Sequence, residues 1–282
     1  MSNQMDQVEA LEQRTRRSFG YQWTVFGQMS DQFREDFLNY IYPVTPEFFV
    51  GKRGLDAGCG FGRHLYYAAQ FGARMIGLDF SQAITRAKEI TIGLDNVQLV
   101  QGNIQRPPLR PRSLDFVYSI GVLHHTPDPE SAFRALLPLI RPGGVIFIWV
   151  YSKSRTLTNA ALEGVRQMTS RLPLRLTRIL SLAGGLVDWF GFILPYRLLR
   201  RLLGPSVDRF IFPRVKLYAR HSFQIVYADW FDRLSAPVRH YYDGKDLAVW
   251  AARAGLINVK ISPTGLYGWR LYGEIPDGRE SV

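Results

Sequence analysis

Leu55-Asp56-Ala57-Gly58-Cys59-Gly60-Phe61-Gly62-Arg63-His64 decides how the rest of this chain is read. A short apolar lead-in precedes it, and Leu65-Tyr66-Tyr67-Ala68-Ala69 follows with helical spacing. The three glycines therefore fall at a strand-to-helix turn, where the backbone can pass close to a ligand. A turn of this kind cradles a nucleotide-type ligand.

The charges around the turn narrow the ligand. A pyrophosphate dinucleotide wants Gly-x-Gly-x-x-Gly and no carboxylate beside its phosphates. Here the third glycine comes one place early, Arg63 stands where it would be, and Asp56 sits at the strand end. An acid at that point suits a cationic ligand. S-adenosylmethionine carries an ammonium and a sulfonium beside an adenosine, and Asp56 would hold its methionine end directly or through water. Twenty-one residues past Gly58, Asp79 closes a second short strand, Ile76-Gly77-Leu78-Asp79, where a carboxylate accepts from both ribose hydroxyls.

Further out the pattern alternates strand and helix as in a parallel α/β sheet. The spacing predicts strands over 53–56, 74–79, 97–101, 114–119 and 145–150, with helices over 63–71, 81–92 and 130–140 between them. After some ninety residues the pattern resumes with a helix over 243–254, a sixth strand over 257–261 and an antiparallel last strand over 267–274. Leu123-His124-His125 runs on from the carboxyl end of the fourth strand, where chemistry collects in open α/β sheets.

Taken together, these motifs resemble the class I S-adenosylmethionine-dependent methyltransferases, in particular the small-molecule, glycan and lipid group with a methyltransferase-11-like core. The resemblance spans residues 50–151 and 241–275. It implies a Rossmann-like, seven-stranded, mostly parallel sheet with an antiparallel last strand, plus a mainly helical insertion. It places Asp56, Gly58, Gly60, Gly62, Asp79, Phe80, Asn103, Ile104 and Ser119 around the cofactor. Asn103 stands where the family usually carries an acid for the adenine amino group, and its amide oxygen still accepts a hydrogen bond. The Pro-Pro motif of base-amino methylating enzymes is missing after the fourth strand. If the acceptor is a hydroxyl, His125, His240 or Asp232 would take its proton.

The expected organisation is an N-terminal helical segment closing over the cofactor (1–45), a core (46–151), a helical cap that selects substrate (152–240) and the rest of the core (241–282). Residues 4–18 read as a charged helix, followed by the aromatic cluster from Phe19 to Phe26 and another helix near 31–40. Tyr227-Ala228-Asp229-Trp230-Phe231-Asp232, and on to His240, resembles the segment before the final helix in many bacterial methyltransferases of this group, and is the candidate substrate wall.

With 282 residues, 46% of them hydrophobic and 13% aromatic, a packed core is assured. Of the net charge of +11, almost all lies in 151–221, where thirteen Lys or Arg face three acids. There, leucines interleave with Arg171, Arg175 and Arg178, and an aromatic run from Trp189 to Tyr196 precedes Arg197, Arg200 and Arg201. Glycines, Pro195 and Asp188 interrupt the run, so a membrane span is not expected. A basic amphipathic helix beside Trp and Phe instead suits an anionic membrane surface, against a cap core with an arginine-rich solvated face. Nucleic acid would explain the charge but fits the aliphatic content poorly. Cys59 is the only cysteine, so no disulfide framework or cysteine zinc site is expected, and no metal. A cytoplasmic protein, peripheral to the membrane, fits these features, and the first thirty residues do not read as a signal peptide.

The expected activity is methyl transfer to a small-molecule, lipid-linked or glycan acceptor, with O-methylation favoured. The alternatives are methylation of RNA ribose and a non-catalytic adenosyl-ligand-binding protein at a membrane surface. A nicotinamide oxidoreductase is opposed by the glycine spacing.

Overall fold

A computed structural model describes residues 2–153, 156–265 and 267–277. The chain forms two units, Met1–Ser154 with Val238–Val282, and Arg155–Pro237.

The first unit is built on a seven-stranded sheet. Its strands are β1 (Arg53–Ala57), β2 (Arg74–Asp79), β3 (Val97–Gln101), β4 (Leu114–Ile120), β5 (Ile140–Tyr151), β6 (Ile257–Pro263) and β7 (Gly268–Glu274), in the order β3-β2-β1-β4-β5-β7-β6. The first five pair in parallel and β7 runs antiparallel to both β5 and β6. The expected sheet, with its antiparallel last strand, is therefore present. Helices α1 (Ser2–Phe26), α2 (Gln32–Ile41), α3 (Arg63–Gln70), α4 (Ala83–Ile90) and α5 (Pro129–Leu136) belong to this unit.

The unbroken apolar run of β5 follows from its central place in the sheet. Ile146, Ile148 and Val150 pack into one core with Leu55, Val117 and Phe133, while Val145, Phe147 and Trp149 alternate into the opposite core with Phe37, Phe49 and Leu65. A strand buried on both faces needs apolar residues at every position. Gly54 is required by the second core: a β-carbon there would stand 2.0 Å from the Phe116 ring, which stacks against Tyr118 and Phe147.

One expectation about this unit changes. The charged helix does not stop before the aromatic cluster, because α1 runs through it to Phe26. Gly20 lies within this helix, where a β-carbon would sit 3.4 Å from the Gln82 backbone. The glycine serves close packing of α1 on the start of α4 rather than ending the helix.

The second unit is helical, with α6 (Thr156–Thr169), α7 (Leu174–Asp188), α8 (Leu194–Leu203), α9 (Pro213–Tyr218) and α10 (Phe223–Ser235). A π-helical turn, Trp189–Ile193, joins α7 to α8, so Leu174–Leu203 is one 30-residue helix. Gly184, Gly185, Gly191, Pro195 and Asp188 do not interrupt it. Pro195 falls in the first turn after the π segment, where its missing N–H is least costly. By length and composition this helix is long and apolar enough to cross a membrane. Gly184 lets it approach α10 closely, since a β-carbon there would meet the Trp230 ring at 2.7 Å.

Candidate active site

The turn after β1 is pinned to the end of β2. The Gly58 and Cys59 amides both donate to the Leu78 carbonyl, at 2.7 and 3.0 Å, and the Gly60 amide donates to Asp79 Oδ2 at 2.9 Å. Gly58, Gly60 and Gly62 all take positive φ, at 88°, 53° and 87°. At Gly58 a β-carbon would also strike Val122 at 2.5 Å, so both conformation and space demand glycine.

Gly58, Cys59, Gly60 and Phe61 form one wall of a pocket enclosing about 860 Å³, the open solvent at its mouth included. Asp79, Phe80, Asn103 and Ile104 continue the wall past the ends of β2 and β3, and Gly121, Val122 and His125 line it beyond β4. Glu12, Thr15, Phe19 and Trp23 of α1 add a further side. Trp23 packs against Phe61 with ring centroids 5.2 Å apart, and Arg86 Nε donates to the Gly27 carbonyl at 2.7 Å, which ties the end of α1 to α4.

Of the residues expected at the cofactor, Gly58, Gly60, Asp79, Phe80, Asn103 and Ile104 line this pocket. Gly62 does not; it caps α3, and a β-carbon there would crowd Ala87 at 3.2 Å. Ser119 does not either: its hydroxyl is buried and donates to the Ala57 carbonyl at 2.8 Å, bracing β1 against β4. Asp56 stands behind the turn, 2% exposed, with Oδ2 lacking a hydrogen bond. Burial drives its pKa up to about 8, helped by the Asp79 charge, although Tyr118 and Arg63 pull the other way. The Tyr118 hydroxyl lies near enough to influence this carboxyl, yet it makes no well-formed hydrogen bond of its own.

Asp79 is buried rather than exposed at the strand end. Oδ1 accepts from the Ser81 amide at 2.8 Å and hydroxyl at 2.6 Å, and Oδ2 accepts from Gly60. A carboxylate offers about four acceptor positions, so there is room on Oδ2 for one further donor where two ribose hydroxyls are expected. Asn103 Oδ1 accepts from the Gln105 amide at 2.9 Å.

His125 alone of the three base candidates lines the pocket. Its Nδ1 lies 2.7 Å from the Val238 carbonyl, which can only accept, so Nδ1 carries a proton. Its ring packs on Phe19 at 4.7 Å. Behind it, His124 is fully buried and packs tilted against Tyr151, ring centroids 3.9 Å apart, and burial holds its pKa well below the usual range, so it stays neutral. His240 does not line the pocket; its backbone amide donates to the His124 carbonyl at 2.8 Å. Asp232 lies in α10 of the helical unit, where it is buried.

Sequence reading missed Glu12, Thr15, His64 and Gln105 in the pocket lining. His64 was visible beside the glycines, but only the fold shows it buried and stacked on Phe37 at 5.5 Å. Glu12 and Thr15 sit on a helix whose inward face cannot be chosen from a mixed polar pattern.

The arrangement fits S-adenosylmethionine. The orphaned Asp56 oxygen belongs to a carboxyl that a cationic methionine end would ionise, the glycine turn leaves space no other residue would, and Asp79 keeps an acceptor position for a ribose. Among the described residues, no group of three or more His, Cys, Asp or Glu could hold a metal ion.

A family model described as a methyltransferase domain matches residues 55–148. The chain is 30% identical over 169 residues to the ubiquinone biosynthesis O-methyltransferase of Aliivibrio fischeri strain ES114, covering 58% of this chain and 67% of that one. It is 28% identical over 144 residues to the protein of the same name from Albidiferax ferrireducens, covering 50% of this chain and 55% of that one. The chain thus spans little more than half the length of some of the curated relatives it matches. Among solved structures, a Haloferax volcanii methyltransferase, described as putative and solved in complex with the Trm112 activator, aligns with a TM-score of 0.54. It is 13% identical, covers 93% of this chain and 97% of that one, and supports the fold alone.

Proposed function

This chain belongs to the class I S-adenosylmethionine-dependent methyltransferases, and from that membership we propose that it moves a methyl group onto a hydroxyl of a small-molecule, lipid-linked or glycan acceptor. The observation that carries the reading is the convergence in one pocket of the glycine turn, Asp79 and the His125 ring, whose Nδ1 is held by the Val238 carbonyl. The relatives' name, an O-methyltransferase of ubiquinone biosynthesis, supports oxygen as the methylated atom and favours a lipid-linked acceptor over a glycan.

When bound, the cofactor supplies an electrophilic methyl on a cationic sulfur. Asp79 would orient the ribose, and Asn103 and Ile104, which line the same pocket, would flank the base. Asp56, behind the turn, would ionise against the cationic end and so supply negative charge there. The leaving thioether needs no acid, so the protein's main work is alignment and exclusion of water, which Phe19 and Trp23 assist from α1. His125 Nε2 takes the acceptor's hydroxyl proton, and the Val238 carbonyl holds the ring in the tautomer that permits it.

The test is transfer of labelled methyl from S-adenosylmethionine to phenolic small molecules, lipid extracts, glycans and RNA. Label in the first three classes, most in phenols and lipids, is expected, and His125→Gln should lower kcat by about 10²-fold or more while S-adenosylhomocysteine affinity stays within about twofold. Label only in RNA, or unchanged turnover by the variant, would overturn this assignment.

A further inference from the structure

The long helix Leu174–Leu203 is inverted relative to a helix of a water-soluble fold. Its inward positions are Thr177, Ser181, Gly185 and Asp188, all buried. Outward stand Leu176, Ile179, Leu180, Val187, Phe190 and Leu194, with Val187 64% and Phe190 62% exposed. The π turn keeps this order: it inserts one extra residue after Asp188, so that Ile193 and Tyr196 resume the buried side. A polar inside and an aliphatic outside reverse the pattern that water selects. Leu198 and Leu202 continue the exposed apolar positions to the end of the helix, and Phe210 is exposed beyond it. Val187, Phe190, Leu194, Leu198 and Leu202 follow at three- and four-residue steps, the spacing that sets helix side chains next to one another, so they make an apolar stripe rather than scattered exposed side chains.

The charge around the face says what covers it. Each acid between 160 and 221 is already paired, Glu163 with Arg166, Asp188 with Arg214 and Asp208 with Arg200. Arg171, Arg175, Arg201, Arg209 and Arg220 remain exposed. We propose that this helix lies in the interface of an anionic lipid bilayer, its leucine and phenylalanine face in the acyl boundary and its arginines on the phosphates. A second copy of the chain would bring like-charged arginines together across the contact. A span is opposed by what packs on the inward side: α10 accompanies the helix and carries Asp229, Asp232 and Arg233, which the hydrocarbon would not accept. The inference stands on the helical unit alone and does not depend on the chemistry proposed for the sheet unit.

The test uses the full chain with phosphatidylcholine vesicles, with and without about a third phosphatidylglycerol. Wild type should sediment with the anionic vesicles at low salt and be released by salt or by alkaline carbonate. Val187→Gln/Phe190→Gln/Leu194→Gln should cut apparent affinity at least tenfold without lowering the melting temperature, since all three side chains face outward. Arg171→Gln/Arg175→Gln/Arg201→Gln should cut it by about two orders of magnitude, at about fivefold per arginine. Because Cys59 is buried, Val187→Cys can be labelled singly with an environment-sensitive fluorophore, whose emission should shift blue on anionic vesicles only. No sedimentation by wild type would overturn the proposal. So would resistance to carbonate extraction, which would indicate a span, or a stable dimer abolished by the apolar triple variant, which would indicate a second copy.

Discussion

Asp56 is a carboxyl that the fold holds protonated near neutrality, and its consequence is a pH-dependent cofactor site. Between the ordinary carboxylate range and pH 8 the folded chain keeps a proton that the unfolded chain gives up, so this group weighs increasingly against folding as pH rises through that window. A cationic ligand favours the ionised form and lowers the pKa, so binding releases a proton. The expected result is S-adenosylhomocysteine affinity that rises by up to about tenfold per pH unit below pH 8 and levels off above it. Asp56→Asn should flatten that profile; calorimetry in buffers of differing ionisation enthalpy checks both the slope and the proton. The acid and the glycines were legible in sequence because they are neighbours along the chain. Burial of Asp56 and the triple engagement of Asp79 were not, because they depend on how closely β2 and the turn pack. Asp79→Ala would accordingly unpin Gly60 and Ser81 as well as the ribose, and would not leave the fold untouched.

Most strands of the sheet were legible to within a residue or two, since alternating burial and short turns leave their mark locally, but β5 starts at Ile140, five residues before the expected 145. The long helix was not. Asp188 reads as an interruption in a hydrophobic run, yet it is the inward polar anchor of that helix, bound by both guanidinium ends of Arg214 and by the Trp230 indole at 2.6 Å. Those partners lie 26 and 42 residues away, beyond any local pattern. Asp188→Ala leaves Arg214 in a largely buried place without its counter-charge. A loss of about 3 kcal/mol is expected, the low end for a broken buried pair because Arg214 keeps some contact with water. Urea unfolding followed by far-ultraviolet circular dichroism measures it. Asp188→Asn, which still accepts from Arg214 and Trp230, should recover part of the loss.

For the whole molecule, the ligand test is a thermal shift. S-adenosylhomocysteine at 100 times its dissociation constant adds about 2.7 kcal/mol, which is about 5–10 °C for a domain of this size, while NAD should add nothing. The charge asymmetry was legible from composition, but the exposed apolar face it surrounds emerged only when the helix was seen to turn its polar residues inward. The sheet unit has one more property, which concerns time rather than energy. Its single thiol, Cys59, is buried between the glycines of the turn and its pKa is pushed well above 9 by burial and by the carboxylates Asp56 and Asp79. A protonated, inaccessible thiol is inert until the turn itself lifts. Alkylation of Cys59 is therefore a clock for the opening of the cradle, read by mass spectrometry with no probe attached, and saturating ligand should slow it by about as large a factor as it stabilises the closed turn.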